Sequence, residues 1–361
     1  MSILTRLALL FGGASPEHEI SIRSAKNIFE AIPHDLYEVT LIGISPSGKW
    51  YHIEDPQFFQ SEKSIQDAGQ ALGLVPGADH HFFYLENGQE GPTVDVVFPI
   101  THGPNGEDGT LQGILRHLNL PFVGPDVLGS AVAMDKDVAK RLLRDADLKV
   151  AEGLTFYYYE KDSIDFFAVA NQLGLPIFIK PANMGSSVGV AKAANKEAFD
   201  QAIQHAFQFD HKIIIEEAII GREVECAVMG NGTLATTTVG EIRMGTGFYD
   251  YDAKYENEVD AQLDIPAQNL DDELLAKLTL VARHAYRALN CEGMSRVDMF
   301  LTAEGAVYVN EINTLPGFTS ISMYPALWAN AGMSYSELIH ELIQLAIERG
   351  ERTQQLQRGR S

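Results

Sequence analysis

RVDMFLTAEGAVYVNEINTLPG spans Arg296 to Gly317. Two apolar, β-type runs flank Ala303–Gly305, the pattern of a hairpin. Side chains two apart on a strand share a face, so Arg296 points with Asp298, and Glu311 with Asn313. Folding about the turn brings Asp298 opposite Asn310 or Glu311. Two carboxylates and an amide oxygen then converge. Such a cluster repels itself unless a cation sits in it, and hard oxygen donors suit magnesium or manganese. The alternative is a solvated hairpin face whose charges meet only water.

Moving outward, the first ~125 residues alternate strand and helix signals, which predicts an α/β domain. RLALLF reads as a strand, GGASPEHEIS as a turn into a helix from about Ser21, and YEVTLIGIS as a second strand. VDVVFPITHG is a near-continuous apolar run, as a strand covered on both faces should be. GTLQGILRHLN predicts a helix and PFVGP a short strand. Residues from about Ser47 to Gly91 read as an irregular excursion with one or two edge strands. A second segment, 126–215, holds the helix DKDVAKRLLRDAD and the strand–loop–strand LPIFIKPANMGSSVGVAKA. A third, 216–361, holds further strands, a long polar loop at 245–259, a helix at 271–290, the opening hairpin and a final helix after Ser334. The polar tail from Glu348 is expected to fray.

Several motifs carry open choices. Glu17, in the first turn, either caps the following helix or binds a substrate ammonium. His102 lies in THGPNGEDG at the end of the third strand, where α/β folds place ligand sites. KPANMGSSVGV is not a P-loop, because no G-K-[ST] ends it. A strand–loop–strand of this composition can still fold over phosphates, with Lys180 at its root as a point charge. Lys136 is by default a surface lysine. Glu216 and Glu217 end an apolar strand that can offer an adenine edge its acceptors and donor, with Glu223 near for ribose. GFYDYDAKYENE, with Lys254 and Tyr255, has the length and polarity of a lid.

Composition narrows the field. The 361 residues carry 27 Lys+Arg against 49 Asp+Glu, a net charge of −22. That argues against nucleic acid or an anionic membrane as partner, since both require a basic face. Hydrophobic content of 45% is enough for real cores. Cys226 and Cys291 form no C-x-x-C pair, which fits a reducing, cytoplasmic setting without structural zinc or disulfides. No apolar run approaches the roughly 20 residues of a membrane span.

Together GGASPEHEIS, HGPNGEDG, MDKDVAK, KPANMGSSVGV, YDYDAKY, RVDMF and NEINTLPGFTSISMYP resemble the ATP-grasp superfamily, and within it the longer, A-type D-alanine–D-alanine ligases. The likeness runs from residue 7 to about 347. It implies a mixed α/β, three-domain ATP-grasp fold with a Rossmann-like N-terminal domain over 1–125, a central domain over 126–215 and a C-terminal domain over 216–361. It implies ATP and two Mg2+ or Mn2+ ions held by Asp298, Glu311 and Asn313, with K+ as an expected activator. Lys136 and Lys180 match phosphate-binding lysines. Glu216, Glu217, Ile219 and Glu223 match adenosine contacts. Glu17 matches the anchor of the first D-alanine's ammonium and, with Ser186 and Tyr255, a triad tying lid to site. His102 matches a residue beside the first substrate. Arg296 and the Gly317 backbone match oxyanion-stabilising groups. Lys254, Ser322 and Met323 match the second substrate's carboxylate site. Met184 departs from the glutamine or arginine expected in the phosphate loop. The implied activity is ligation of two D-alanines through an acyl phosphate, by a cytoplasmic homodimer serving peptidoglycan precursor synthesis. The alternatives are a D-serine or D-lactate acceptor, or a silent nucleotide sensor.

Overall fold

The computed structural model describes residues 4–78, 81–244 and 261–356. The lid expected at 245–259, with Lys254 and Tyr255, lies outside the described residues. Three sheets organise the described residues.

The first sheet has strands β1 (Thr5–Gly12), β2 (Tyr37–Ile44), β3 (Trp50–Ile53), β4 (Gln70–Leu74), β5 (Phe82–Tyr84) and β6 (Val96–Thr101), in spatial order β5-β4-β3-β2-β1-β6. β2, β1 and β6 are parallel, and β3 to β5 add on as an antiparallel meander. The excursion therefore supplies three paired strands rather than one or two. Its strands run only 3 to 5 residues, too short for a clear alternation to show in sequence. Leu7 to Phe11 are all at most 1% exposed because helices cover both faces. On one face lies α1 (His18–Ala31). After the small α2 (Ile65–Ala68), α3 (Thr110–His117) covers the other face through Leu111 and Leu115. PFVGP contributes a single bridge, Phe122 to Val97, in place of a strand.

Helices α4 (Val127–Met134) and α5 (Lys136–Asp145) lead into the second sheet. Asp126 and Asp135 cap them, each side chain accepting a first-turn backbone N–H. Strands β7 (Gly153–Tyr157), β8 (Ile177–Pro181), β9 (Ala191–Ala193) and β10 (Lys212–Glu217) form an antiparallel sheet in order β7-β10-β8-β9. Helices α6 (Phe166–Leu173) and α7 (Lys196–Ala206) bury one face against Ile177, Ile179, Ile213 and Ile215. The two-residue period then puts Lys180 and Glu216 on the opposite face.

The third sheet, β11 (Arg222–Met229), β12 (Ala235–Met244), β13 (Ala261–Asp264), β14 (Met294–Leu301) and β15 (Val307–Asn313), is antiparallel in order β13-β12-β11-β14-β15. Helix α8 (Asp272–Ala288) packs on the face built from Val224, Cys226, Val297, Met299 and Leu301. Glu225, Arg296 and Asp298 alternate to the other face. A bulge re-aims β15. Asp298 pairs with Glu311 but Met299 pairs with Val309, so Asn310 is an extra residue. Val309 and Glu311 would share a face in a regular strand. The bulge leaves Val309 in the core and turns Glu311 to the cleft.

Two helices close the chain, α9 (Met323–Asn330) and α10 (Tyr335–Gln354). The tail does not fray at Glu348, because α10 continues to Gln354. Buried Arg349 anchors it by donating to the Phe122 and Gly124 carbonyls, 2.6 Å each. Leu338, Ile339, Leu342 and Ile343 of α10 fill the same core as Leu7, Leu9 and Phe98 of the first sheet. Leu342 is fully buried. Leu342→Ala is expected to cost about 2–5 kcal/mol through lost transfer energy and a residual cavity. Urea unfolding, read as a lower midpoint at unchanged slope, checks this.

Candidate active site

A cavity of about 430 Å³ opens where the three sheets meet, within the range of small-molecule sites. Glu17, His102, Lys136, Ser186, Arg296 and Glu311 all line it. Asn313, Gly317, Ser322 and Met323 line it as well. Residues 17 and 323 thus line one cavity, although the expectation for each rested on a separate motif.

Glu17 does not cap α1. Its side chain makes no bond to the helix N-terminus and instead accepts the Ser186 hydroxyl. Ser186 presents that hydroxyl from a left-handed backbone, φ 50°. The helix cap is thus not made, and the Glu17 carboxylate lines the cavity beside Ser186. Gly103 has to be glycine. Its φ is +73°, and an added Cβ would stand 2.8 Å from Ser15 Oγ and 3.1 Å from Glu17 Oε2.

His102 is 4% exposed. Its Nδ1 donates to the Leu315 carbonyl at 3.1 Å and lies 3.7 Å from Glu107. Burial disfavours the imidazolium, but the Glu107 and Glu17 carboxylates outweigh it and hold the pKa above its ordinary value. Glu107 is the group the sequence undersold. Its Oε1 accepts the Gly103 N–H at 2.8 Å.

The charged groups of the opening hairpin are half-buried and paired with one another, not left to water. Arg296 forks onto Asp298 with two bonds of 2.7 Å, and its Nε also lies 2.8 Å from Glu225. Asn313 donates to Asp298 at 2.8 Å, and Glu311 is 3.3 Å from the Lys136 ammonium. The carboxylates are compensated here by Arg296 and Lys136. Asp298 pairs in register with Glu311 and Asn313 meets Asp298, so two carboxylates and an amide stand together, and their oxygens are of the hard kind that suits a divalent cation.

Lys136 is no surface lysine. It donates to the Met184 carbonyl at 2.7 Å and ties the Gly/Ser loop to α5. Deeper in, Glu216 is flanked by Lys180 at 2.8 Å and by Lys140 at 2.6 Å. Burial raises the Glu216 carboxyl, yet the two lysines more than offset it and bring its pKa to about 2. Glu217 accepts the Glu152 N–H at 2.9 Å, Ile219 is half-buried and Glu223 is exposed. These last three, like Lys180 and Glu216, are not among the residues that line the main cavity. Sequence reading overlooked Lys140 and Glu225. The signal was present: Lys140 falls between Ala139 and Leu143 on the buried side of α5. Glu225 alternates with Val224 and Cys226 on a core strand.

Comparison with known proteins agrees on one family. The chain matches the description "D-ala D-ala ligase N-terminus" over residues 6–125 and "D-ala D-ala ligase C-terminus" over 142–344. A D-alanine–D-alanine ligase of Oceanobacillus iheyensis is 51% identical, over 99% of both chains. D-alanine–D-alanine ligase A of Escherichia coli K12 is 50% identical over 95% of this chain and 96% of its own length. Among solved structures, the D-alanine–D-alanine ligase of Coxiella burnetii superposes with a TM-score of 0.86 at 34% identity, covering 97% of this chain and 96% of that one. The VanG D-Ala:D-Ser ligase of Enterococcus faecalis gives 0.84 at 37%, covering 95% and 100%.

The depressed Glu216 carboxyl has a stability consequence with a definite sign. It contributes stability fully present above its unfolded value of 4.5, lost as pH falls toward about 2. The upper bound is about 3 kcal/mol for this 2%-exposed group. Urea midpoints measured from pH 5 to pH 2 should fall less steeply in Glu216→Gln than in the parent.

Proposed function

We propose roles for these residues from the premise that the chain belongs to the D-alanine–D-alanine ligase family. It has the ATP-grasp fold of that family and is an ATP-dependent ligase joining D-alanine to D-alanine. The family implies ATP and a divalent metal. The observation that carries the assignment is the single cavity in which Glu17 and His102 of the N-terminal sheet's loops face Arg296 and Glu311 of the C-terminal hairpin.

Residues 1–125, 126–215 and 216–361 form the substrate, central and C-terminal domains. Glu17 takes the ammonium of the first D-alanine, with His102 beside it and Ser186 holding the Glu17 carboxylate. Tyr255 completes that triad from the lid. Lys136 and Lys180 bind the phosphates of ATP, and Glu216, Glu217, Ile219 and Glu223 bind its adenosine. Two magnesium or manganese ions held by Asp298, Glu311 and Asn313, with K+ as activator, supply the charge neutralisation that phosphoryl transfer requires.

The chemistry follows from a weak electrophile. The first D-alanine's carboxylate oxygen attacks the γ-phosphorus of ATP, the bond to ADP breaks, and an acyl phosphate forms. The free amine of the second D-alanine attacks the acyl carbon, loses a proton, and phosphate departs with the C–O bond. Lys254, Ser322 and Met323 hold that second substrate's carboxylate. Arg296 and the Gly317 N–H face the oxyanion of the tetrahedral intermediate. Acyl phosphates hydrolyse in water, which gives the 245–259 lid its purpose. The enzyme works as a cytoplasmic homodimer feeding peptidoglycan precursor synthesis. Among the described residues no helix is long and apolar enough to cross a membrane.

The test is phosphate release from ATP and magnesium with D-alanine alone, then with D-serine or D-lactate added, and product identification by mass. Dipeptide from D-alanine alone is the expected result. Product only when another acceptor is supplied would reassign the second substrate. No release with any acceptor would remove the enzymatic reading. Asp298→Asn and Glu311→Gln are each expected to lower turnover by at least about 100-fold, as losses of transition-state electrostatics do. EDTA should stop the parent enzyme, and excess magnesium should restore it.

A further inference from the structure

Lys140 has no part in the roles above, yet it is among the largest fully buried side chains in the molecule. It lies one turn beyond Lys136 on α5, so both side chains leave the same face of the helix. Lys136 reaches the Met184 carbonyl and Glu311. Lys140 points inward to Glu216 Oε1 at 2.6 Å, while Lys180 holds Glu216 Oε2 at 2.8 Å. The Lys140–Glu216 approach is a contact ion pair without an aligned hydrogen bond. Burial lowers the Lys140 ammonium's pKa, an effect its attraction to Glu216 only partly offsets.

The two lysines differ in freedom. Lys140's side chain is 2% exposed, and Lys180's is 15%. Lys180 is the less enclosed of the two. A nucleotide that draws Lys180 to its phosphates takes one partner from a carboxylate that is itself 2% exposed. A buried carboxylate stripped of its counter-ion is strongly disfavoured. With Lys140 in place, Glu216 stays neutralised from below.

We propose that Lys140 is a positioning residue for nucleotide binding: it holds Glu216 alone, so that Lys180 can exchange Glu216 Oε2 for the nucleotide's phosphates. The vacated Oε2 is then open to the amino group of the base. This rests on the reading of Lys180 and Glu216 as nucleotide contacts.

The experiment compares steady-state kinetics of the full chain with those of K180M, K140M and K140R, varying ATP and D-alanine separately. In K140M the KM for ATP should rise about tenfold while kcat stays within about threefold and the KM for D-alanine is unchanged. K140R, which keeps the charge, should recover most of the loss. An unchanged KM for ATP in K140M overturns the proposal. So does a fall in kcat alone, the mark of less folded enzyme, or a K140R no better than K140M. If K180M leaves the KM for ATP unchanged, the nucleotide reading fails, and the proposal with it. Should K140M not fold, E216Q is compared with E216Q/K140M. Removing Lys140 should then change the KM for ATP by less than about twofold, since no carboxylate remains to hold. A further tenfold rise on that background overturns the proposal.

Discussion

Glu216 is a carboxylate withdrawn from water between two ammonium groups, one from a helix and one from a neighbouring strand. Lys140 comes from helix α5 and Lys180 from β8, while Glu216 is the last residue but one of β10. Breaking such a cluster by removing one member leaves an uncompensated charge in a low-dielectric interior. The same constraint recurs one sheet away, where Arg296 of β14 bridges Asp298 and Glu225. Lys136 joins the two systems by facing Glu311. The cleft is thus held in register by charge pairing, with apolar cores on the far faces of both sheets.

The first sheet is fastened to this assembly by the loop that follows the hairpin. Leu315 accepts from His102, and the Phe318 carbonyl accepts from Asn27 and Tyr335. The Phe318 ring meets Phe98 edge-on at 5.9 Å, interplanar angle 85°. Gly317, between these anchors, has little room to drift. The proposed role of its N–H at an oxyanion calls for that rigidity, because such groups act through preorganisation.

Much of this was legible in the residues. The hairpin about Ala303–Gly305 followed from its apolar runs and turn, and folding about that turn set Asp298 against Asn310 or Glu311, of which the structure pairs it with Glu311. The bulge at Asn310 was not legible. It depends on Val309 being drawn into the core beneath α8, which no local pattern reveals. The meander β3 to β5 escaped for a similar reason: short edge strands are specified by their neighbours more than by their own alternation. Lys140 and Glu225 were read past because a charged residue on a helix or strand is ordinarily solvated. Their burial is set by partners far off in the chain, Glu216 for the one and Arg296 for the other.

Helix α10 also bears on how the chain comes off the ribosome. Leu338, Ile339 and Ile343 complete the core that begins with Leu7, Leu9 and Phe98. The parallel strands can pair once β6 has emerged, and α1 already lies on one face, but the rest of that apolar face stays open until α10 is made. At ordinary synthesis rates of about 5–20 residues per second, that interval is on the order of ten to fifty seconds. For that time a sheet rich in buried leucine and phenylalanine presents an adhesive surface to the cell. Chaperone holding during synthesis, or slow translation late in the message, would bear most heavily on this face.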